Sequence, residues 1–160
     1  MFTSSSRRFQ PSSRGAEPVE VSGRTLLILL VEADRDVRRA VRKHLDNFPF
    51  ARGSLESVSI ALIEAESGRE ALSMLSAFTP DLVMLDLTLP EMSGYEVCEH
   101  LRAKDELQHV PVLAMSSRTM PEDRAAAEEV GASAFLAKPF TRQQLAGQVE
   151  MLLAPDAAAR

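Results

Sequence analysis

From Arg24 onward the chain alternates short apolar runs with stretches of helical period. Leu26–Val31 (LLILLV) is a continuous apolar run, short enough for a strand buried on both faces. Asp34–Asp46 follows with Val37, Val41 and Leu45 at helical spacing. The couplet then recurs. Ala61–Ala65 is followed by Arg69–Phe78, with Leu72 and Leu75 inward; Asp81–Leu87, announced by Pro80, is followed by Glu96–Ala103, with Val97 and Leu101 on one face. Val110–Met115 is followed by Pro121–Val130, where Pro121 suits a first helical turn, acids sit at the positive end of the dipole and Gly131 supplies the stop. Ser133–Ala137 precedes a T-x-x-Q capping box, Thr141 to Gln144, that opens a helix with Leu145, Val149 and Leu152 inward.

Repeated strand-then-helix alternation predicts an α/β fold with a parallel sheet covered on both faces. Right-handed crossovers restrict it to a few doubly wound orders. One connection, from Leu45 to Ala61, is longer than the usual αβ loop; it holds either an extra turn of helix or a longer second strand.

Composition adds boundaries and exclusions. The sequence has 160 residues, 45% hydrophobic and 26% charged, as expected for one globular domain and tails. Residues 1–23 are rich in Ser and Arg, with Pro11, Gly15 and Pro18 breaking any amphipathic helix. They lack the apolar core of a secretory signal and read as a disordered tail, although an organelle transit peptide shares the composition. The domain is placed at 24–154 and a short C-terminal tail at 155–160. A net charge of -5 argues against a nucleic-acid binder. No apolar run approaches the ~18 residues of a membrane span. A lone Cys98 permits no internal disulfide and suits a reducing, cytoplasmic setting. The histidines, His44, His100 and His109, have no metal-ligand spacing with it.

Chemistry collects at the carboxyl ends of the strands, where open parallel sheets bind ligands; in the order 2-1-3-4-5 the switch point lies between the first and third strands. The first strand ends at Glu32, Ala33 and Asp34, the third at Asp86, the fourth at Ser116 and Ser117, and the fifth at Lys138–Pro139. Carboxylates held together repel unless a cation lies among them, and Mg2+ suits oxygen ligands that leave room for phosphate. Asp86 would take a phosphoryl group as a carboxylate nucleophile, and Lys138 would hold a phosphoryl oxygen.

The motifs LVEADRD, DLVMLDLTLP with the following MSG, VPVLAMSS and GASAFLAKPF together resemble the receiver domain of two-component response regulators. The resemblance implies a five-stranded doubly wound sheet of order 2-1-3-4-5, flavodoxin-like and like that of the chemotaxis regulators. It implies Asp86 as phospho-acceptor, Glu32 as the first of the acidic pair, and the backbone carbonyl of Thr88 as a metal ligand. It further implies Ser116 as switch hydroxyl, Phe135 as switch aromatic, Lys138 as phosphoryl contact and a cis Lys138–Pro139 bond. The departure is Ala33, where the family carries its second acid; Mg2+ is therefore expected to bind weakly, with Asp34 a possible substitute ligand. The implied function is a single-domain phosphorelay regulator. It would take its phosphoryl group from a histidine kinase or phosphotransfer protein, with self-phosphorylation and self-dephosphorylation as its only chemistry. Because only APDAAAR follows Leu153, the signal is expected to leave through the fourth helix, fifth strand and fifth helix, by contact with a downstream protein.

Plainer readings accompany each residue. A strand-end Asp is often a helix cap, Phe135 also suits a core, and Cys98 and Tyr95 read as packing. A dehalogenase-type phosphotransferase would need an acid at position 88, which is Thr, and a nucleotide switch would need a Gly-rich phosphate loop. The remaining alternative is a pseudo-receiver, an interaction module that has lost metal-dependent phosphorylation.

Overall fold

The structure, a computed structural model, describes residues 23–46 and 58–153. All of the N-terminal tail except Gly23, the C-terminal tail, and residues 47–57 of the long connection lie outside the described residues. Strands β1 (Thr25–Val31), β2 (Ser59–Ala65), β3 (Leu82–Asp86), β4 (Val112–Ser116) and β5 (Ala134–Ala137) alternate with helices. These are α1 (Arg35–Leu45), α2 (Gly68–Ala77), α3 (Gly94–Ala103), α4 (Pro121–Glu129) and α5 (Arg142–Leu153). The strands form one parallel sheet in the expected order, β2-β1-β3-β4-β5. Register sets Val31 beside Leu85, Asp86 beside Met115 and Ser116 beside Ala137. The carboxyl ends of four strands therefore finish nearly level.

Both faces of the sheet are buried, which is why its strands read as unbroken apolar runs. Ile28, Leu30, Met84, Leu113 and Met115 pack against Val41 and Leu45 of α1 and Leu145 and Val149 of α5. Leu29, Val31, Val83 and Leu85 face Ala71 and Leu75 of α2 and Val97 and Leu101 of α3. A smaller group, Leu87, Ala114 and Ala127 with Tyr95 and Phe135 against it, lies under α4. Each fully buried Leu, Ile, Val or Met side chain contributes about 1.5–3 kcal/mol relative to exposure.

Element ends depart from the periodicity for local reasons. β2 begins at Ser59, where Ser59 and Ile60 pair with Thr25 and Leu26, so the long connection gives part of its length to a longer strand. β4 begins at Val112 rather than Val110. Pro111 has no N–H to donate, its carbonyl accepts from Val83, and the Val110 amide is used on the Leu107 carbonyl in the preceding turn. α3 begins at Gly94, capped by a reciprocal box between Ser93 and Glu96. The box between Thr141 and Gln144 forms, with bonds of 2.9 and 3.2 Å, and Gly131 takes a positive φ of 99° after α4. Lys138–Pro139 is cis. Among the described residues no helix is long and apolar enough to cross a membrane.

Candidate functional site at the carboxyl rim of the sheet

The residues singled out at the strand ends do meet. Glu32, at the end of β1, is 1% exposed, Asp86 at the end of β3 6%, and Ser116 at the end of β4 1%. Lys138, following β5, reaches across the rim between the two acids. Its Nζ lies 2.5 Å from Glu32 Oε2 and 3.4 Å from Asp86 Oδ2. Buried charges are stable only when paired and hydrogen-bonded, and each carboxylate has a second partner here. The Asp34 amide donates to Glu32 Oε1 at 3.1 Å, and the Thr88 amide donates to Asp86 Oδ1 at 3.0 Å. Burial raises the Glu32 carboxyl above its ordinary pKa, bonds from Lys138 and the Asp34 amide pull it back, and the Asp86 charge adds to the rise.

Ser116 presents its hydroxyl at the same rim, where Oγ accepts from the Arg118 amide at 3.0 Å, while its carbonyl accepts from the Lys138 amide at 2.9 Å. Gly94 lets α3 start directly beneath the Asp86 loop: a Cβ there would lie 2.2 Å from the Asp86 carbonyl oxygen, too close for any other residue. Phe135 lies on β5, half-buried against Leu87, Ala114 and Ala127, with the Arg124 guanidinium 4.6 Å from its ring centroid. Tyr95 packs in the same group, and the buried Cys98 thiol donates to the Val130 carbonyl at 3.3 Å, both as structural residues.

The oxygens offered to a cation are few. Ala33 is exposed and contributes none from its side chain. Asp34 is the N-cap of α1, its Oδ1 accepting from the Asp36 and Val37 amides at 2.8 and 3.4 Å, so its carboxylate serves the helix end. Among the described residues no group of three His, Cys, Asp or Glu side chains is arranged to hold a metal ion. The anionic oxygens that do meet at the rim belong to two carboxylates, Glu32 and Asp86, a set that suits only an ion that keeps several waters.

Arg38 is the residue that periodicity missed. It is 8% exposed, and its Nη1 donates to the carbonyls of Glu32 and Ala33 at 2.9 and 3.0 Å while Nη2 pairs with Glu66 at 3.0 Å. A signal existed: Arg38, Val41 and Leu45 share the buried face of α1, so an arginine stands where the stripe calls for an apolar residue.

Comparison with known proteins agrees with this geometry. The profile of the response regulator receiver domain matches residues 28–150. Response regulator MprA of Mycolicibacterium vanbaalenii is 35% identical over 126 residues, 79% of this chain and 49% of that protein. The chain thus spans about half the length of the curated relatives it matches. The receiver domain of a signal transduction histidine kinase from Syntrophus aciditrophicus superposes with a TM-score of 0.69 at 30% identity, covering 80% of this chain and 89% of that one. The chemotaxis response regulator CheY4 of Vibrio cholerae gives 0.69 at 25% identity, covering 81% and 99%. This chain belongs to the response regulator receiver domain family.

Proposed function

We propose that this receiver domain accepts a phosphoryl group on Asp86 from a histidine kinase or phosphotransfer protein in the cytoplasm, and signals through protein contacts. The observation that carries the reading is Lys138 set between two buried acids at the switch point, 3.4 Å from Asp86. Asp86 Oδ1 is occupied by the Thr88 amide, so Oδ2 is the oxygen that attacks phosphorus, and the bond from phosphorus to the donor nitrogen breaks. Lys138 then holds an oxygen of the transferred group, and Ser116 turns its hydroxyl toward it. Glu32, Asp86 and the Thr88 carbonyl are the groups that would hold Mg2+. That ion would offset charge on the transferring phosphoryl oxygens. With Ala33 in place of an acid the ion is held weakly, because a missing carboxylate costs at least the ~10–100-fold in affinity that lost outer partners already cost.

The outgoing surface is α4, β5 and α5, coupled to the site through Ser116 and Phe135. Exposed large hydrophobic side chains support this: Met120 caps α4 and Met151 lies on α5. Incubation with acetyl phosphate or phosphoramidate and Mg2+ is expected to add one hydroxylamine-labile phosphate, absent from Asp86→Asn. An undiminished phosphate on that variant removes the assignment. A second reading, a pseudo-receiver that docks partners without phosphorylation, draws on Ala33 and the reduced donor set; it becomes the better one if no phosphate is taken up at any Mg2+ concentration.

A further inference from the structure

We infer that Arg38 is a positioning residue of the phosphorylation site, aiming Glu32 at Lys138 through a single peptide unit; this rests on the function proposed for Asp86. The carbonyl of Ala33 and the amide of Asp34 belong to the same peptide group. That group is planar and trans, so its C=O and N–H point in opposite directions. Arg38 Nη1 holds the carbonyl at 3.0 Å on one side. The amide on the other side donates to Glu32 Oε1 at 3.1 Å. The second oxygen of that same carboxylate meets Lys138 Nζ at 2.5 Å. A guanidinium on α1 therefore fixes the rotation of one peptide, the peptide fixes a carboxylate, and the carboxylate fixes the lysine beside Asp86.

Two features make Arg38 suited to this. Its Nη1 also takes the Glu32 carbonyl at 2.9 Å, so two consecutive carbonyls are gathered by one nitrogen while Nη2 remains to reach Glu66, a division that the single nitrogen of an ammonium does not offer. Its other arm is held by Glu66, in the turn between β2 and α2, which is itself tied down where its amide donates to Glu70 at 3.0 Å. At Ala33 the peptide must do this alone. No side chain at that position can brace Glu32, so among the described residues the Asp34 amide and Lys138 are the donors that hold its carboxylate.

The test needs no phosphate for its first arm. Amide hydrogen exchange, read by NMR, is compared in the wild type, Arg38→Met, Arg38→Lys and Glu32→Gln. Met fills a similar volume without a donor and leaves behind only the largely exposed Glu66, not a buried unpaired charge, so the fold should survive it. In Arg38→Met the Asp34 amide is expected to exchange about tenfold faster, the loss of one hydrogen bond, with the amides of β4 unchanged and Arg38→Lys in between. Unchanged exchange at Asp34 overturns the inference. If Arg38→Met does not fold, Glu66→Gln, at the exposed end of the pair, takes its place. It should speed Asp34 exchange about twofold, and no change there overturns the inference equally.

The second arm measures phosphorylation by phosphoramidate. Arg38→Met should slow it about tenfold in the wild-type background and less than about twofold in Glu32→Gln, because a glutamine held by the Asp34 amide presents no anionic oxygen to Lys138 and there is no charge left to aim. Losses that multiply independently overturn the inference. If the wild type takes up no phosphate, the proposed function fails, and the exchange at Asp34 still decides whether Arg38 sets that peptide.

Discussion

Asp81 and Asp86 stand at opposite ends of β3 with nearly the same partners. Asp81 Oδ2 accepts from the Leu27 amide at 2.8 Å and its other oxygen lies 3.7 Å from Arg24. Asp86 Oδ1 accepts from the Thr88 amide at 3.0 Å and its other oxygen lies 3.4 Å from Lys138. One backbone N–H and one cation serve each. What differs is the company of the cation. The Arg24 side chain is 69% exposed and is shared with nothing else described, whereas Lys138 is 18% exposed and already committed to the buried Glu32. A carboxylate tied to backbone and solvent holds a strand end. A carboxylate whose cation answers to a second buried acid sits in a field that an incoming phosphoryl group would rearrange.

The widest separation between the two is expected on removing each. Asp86→Asn should abolish the labile phosphate, while Asp81→Ala should leave its uptake intact. Asp81→Ala should instead lower stability by about 1–3 kcal/mol, since it strands the Leu27 amide in a buried strand. Phosphate counting and a denaturant midpoint on both variants decide this, and a comparable phosphorylation defect in Asp81→Ala would break the contrast between the rims.

The cations come next. Lys138→Met should slow phosphorylation from a small donor about 10²–10³-fold, the usual loss when one positioned charge is taken from a transferring group. Arg24→Met should change stability by under about 1 kcal/mol and leave phosphorylation alone, because an exposed pair at 3.7 Å is screened by water. Equal effects would mean that sharing between Glu32 and Asp86 is not what distinguishes Lys138.

Ala33→Asp sharpens the comparison from the other direction, by adding an acid to the rim that is one short. Mg2+ affinity, measured by direct titration, should rise at least about tenfold, and phosphorylation should need correspondingly less Mg2+. Without metal the added charge repels Glu32 and Asp86, so stability in chelator should fall. If the wild type binds Mg2+ as tightly as the variant, another oxygen replaces the missing acid, and Asp34 would have to leave its cap on α1 to be that oxygen.

The fold and most of the rim were legible because each depended on a repeated signal. Apolar runs of strand length occurred between helical stripes, and a polar group stood at or just past the end of four of the strands. Glu32, Asp86, Ser116 and Lys138 could thus be placed together from the sequence alone. The strand ends were less legible where a single backbone bond decided them, as at Pro111 just before β4 and at Ser59 and Ile60 in β2. Asp34 sat at the border between ligand and cap, and only the direction of its carboxylate, toward the amides of α1, assigns it to the helix. Arg38 was hidden because apolar periodicity counts apolar residues: a buried arginine registers as a gap in the stripe, not as a member of it.

The smallest expected difference uses two serines with the same local bond. Ser133 Oγ accepts from the Val112 amide at 3.0 Å at the start of β4, and Ser116 Oγ accepts from the Arg118 amide at 3.0 Å at its end. By hydrogen bonding alone, an alanine at either site removes one acceptor from one backbone N–H, which costs about 0.5–1.5 kcal/mol. The two stabilities should therefore fall by similar amounts, with Ser133→Ala the larger because it strands the amide of the buried Val112, whereas water replaces the acceptor lost by the amide of the exposed Arg118. The rims separate only on phosphorylation. Hydrogen exchange with and without beryllofluoride should show changes in α4 and α5 in the wild type and in Ser133→Ala, and weaker changes in Ser116→Ala, whose hydroxyl is no longer there to turn toward the phosphoryl group. If Ser116→Ala responds as fully as Ser133→Ala, the hydroxyl at the carboxyl rim is only a backbone acceptor like its counterpart, and coupling to α4 and α5 must run through Lys138 and the turn that follows it.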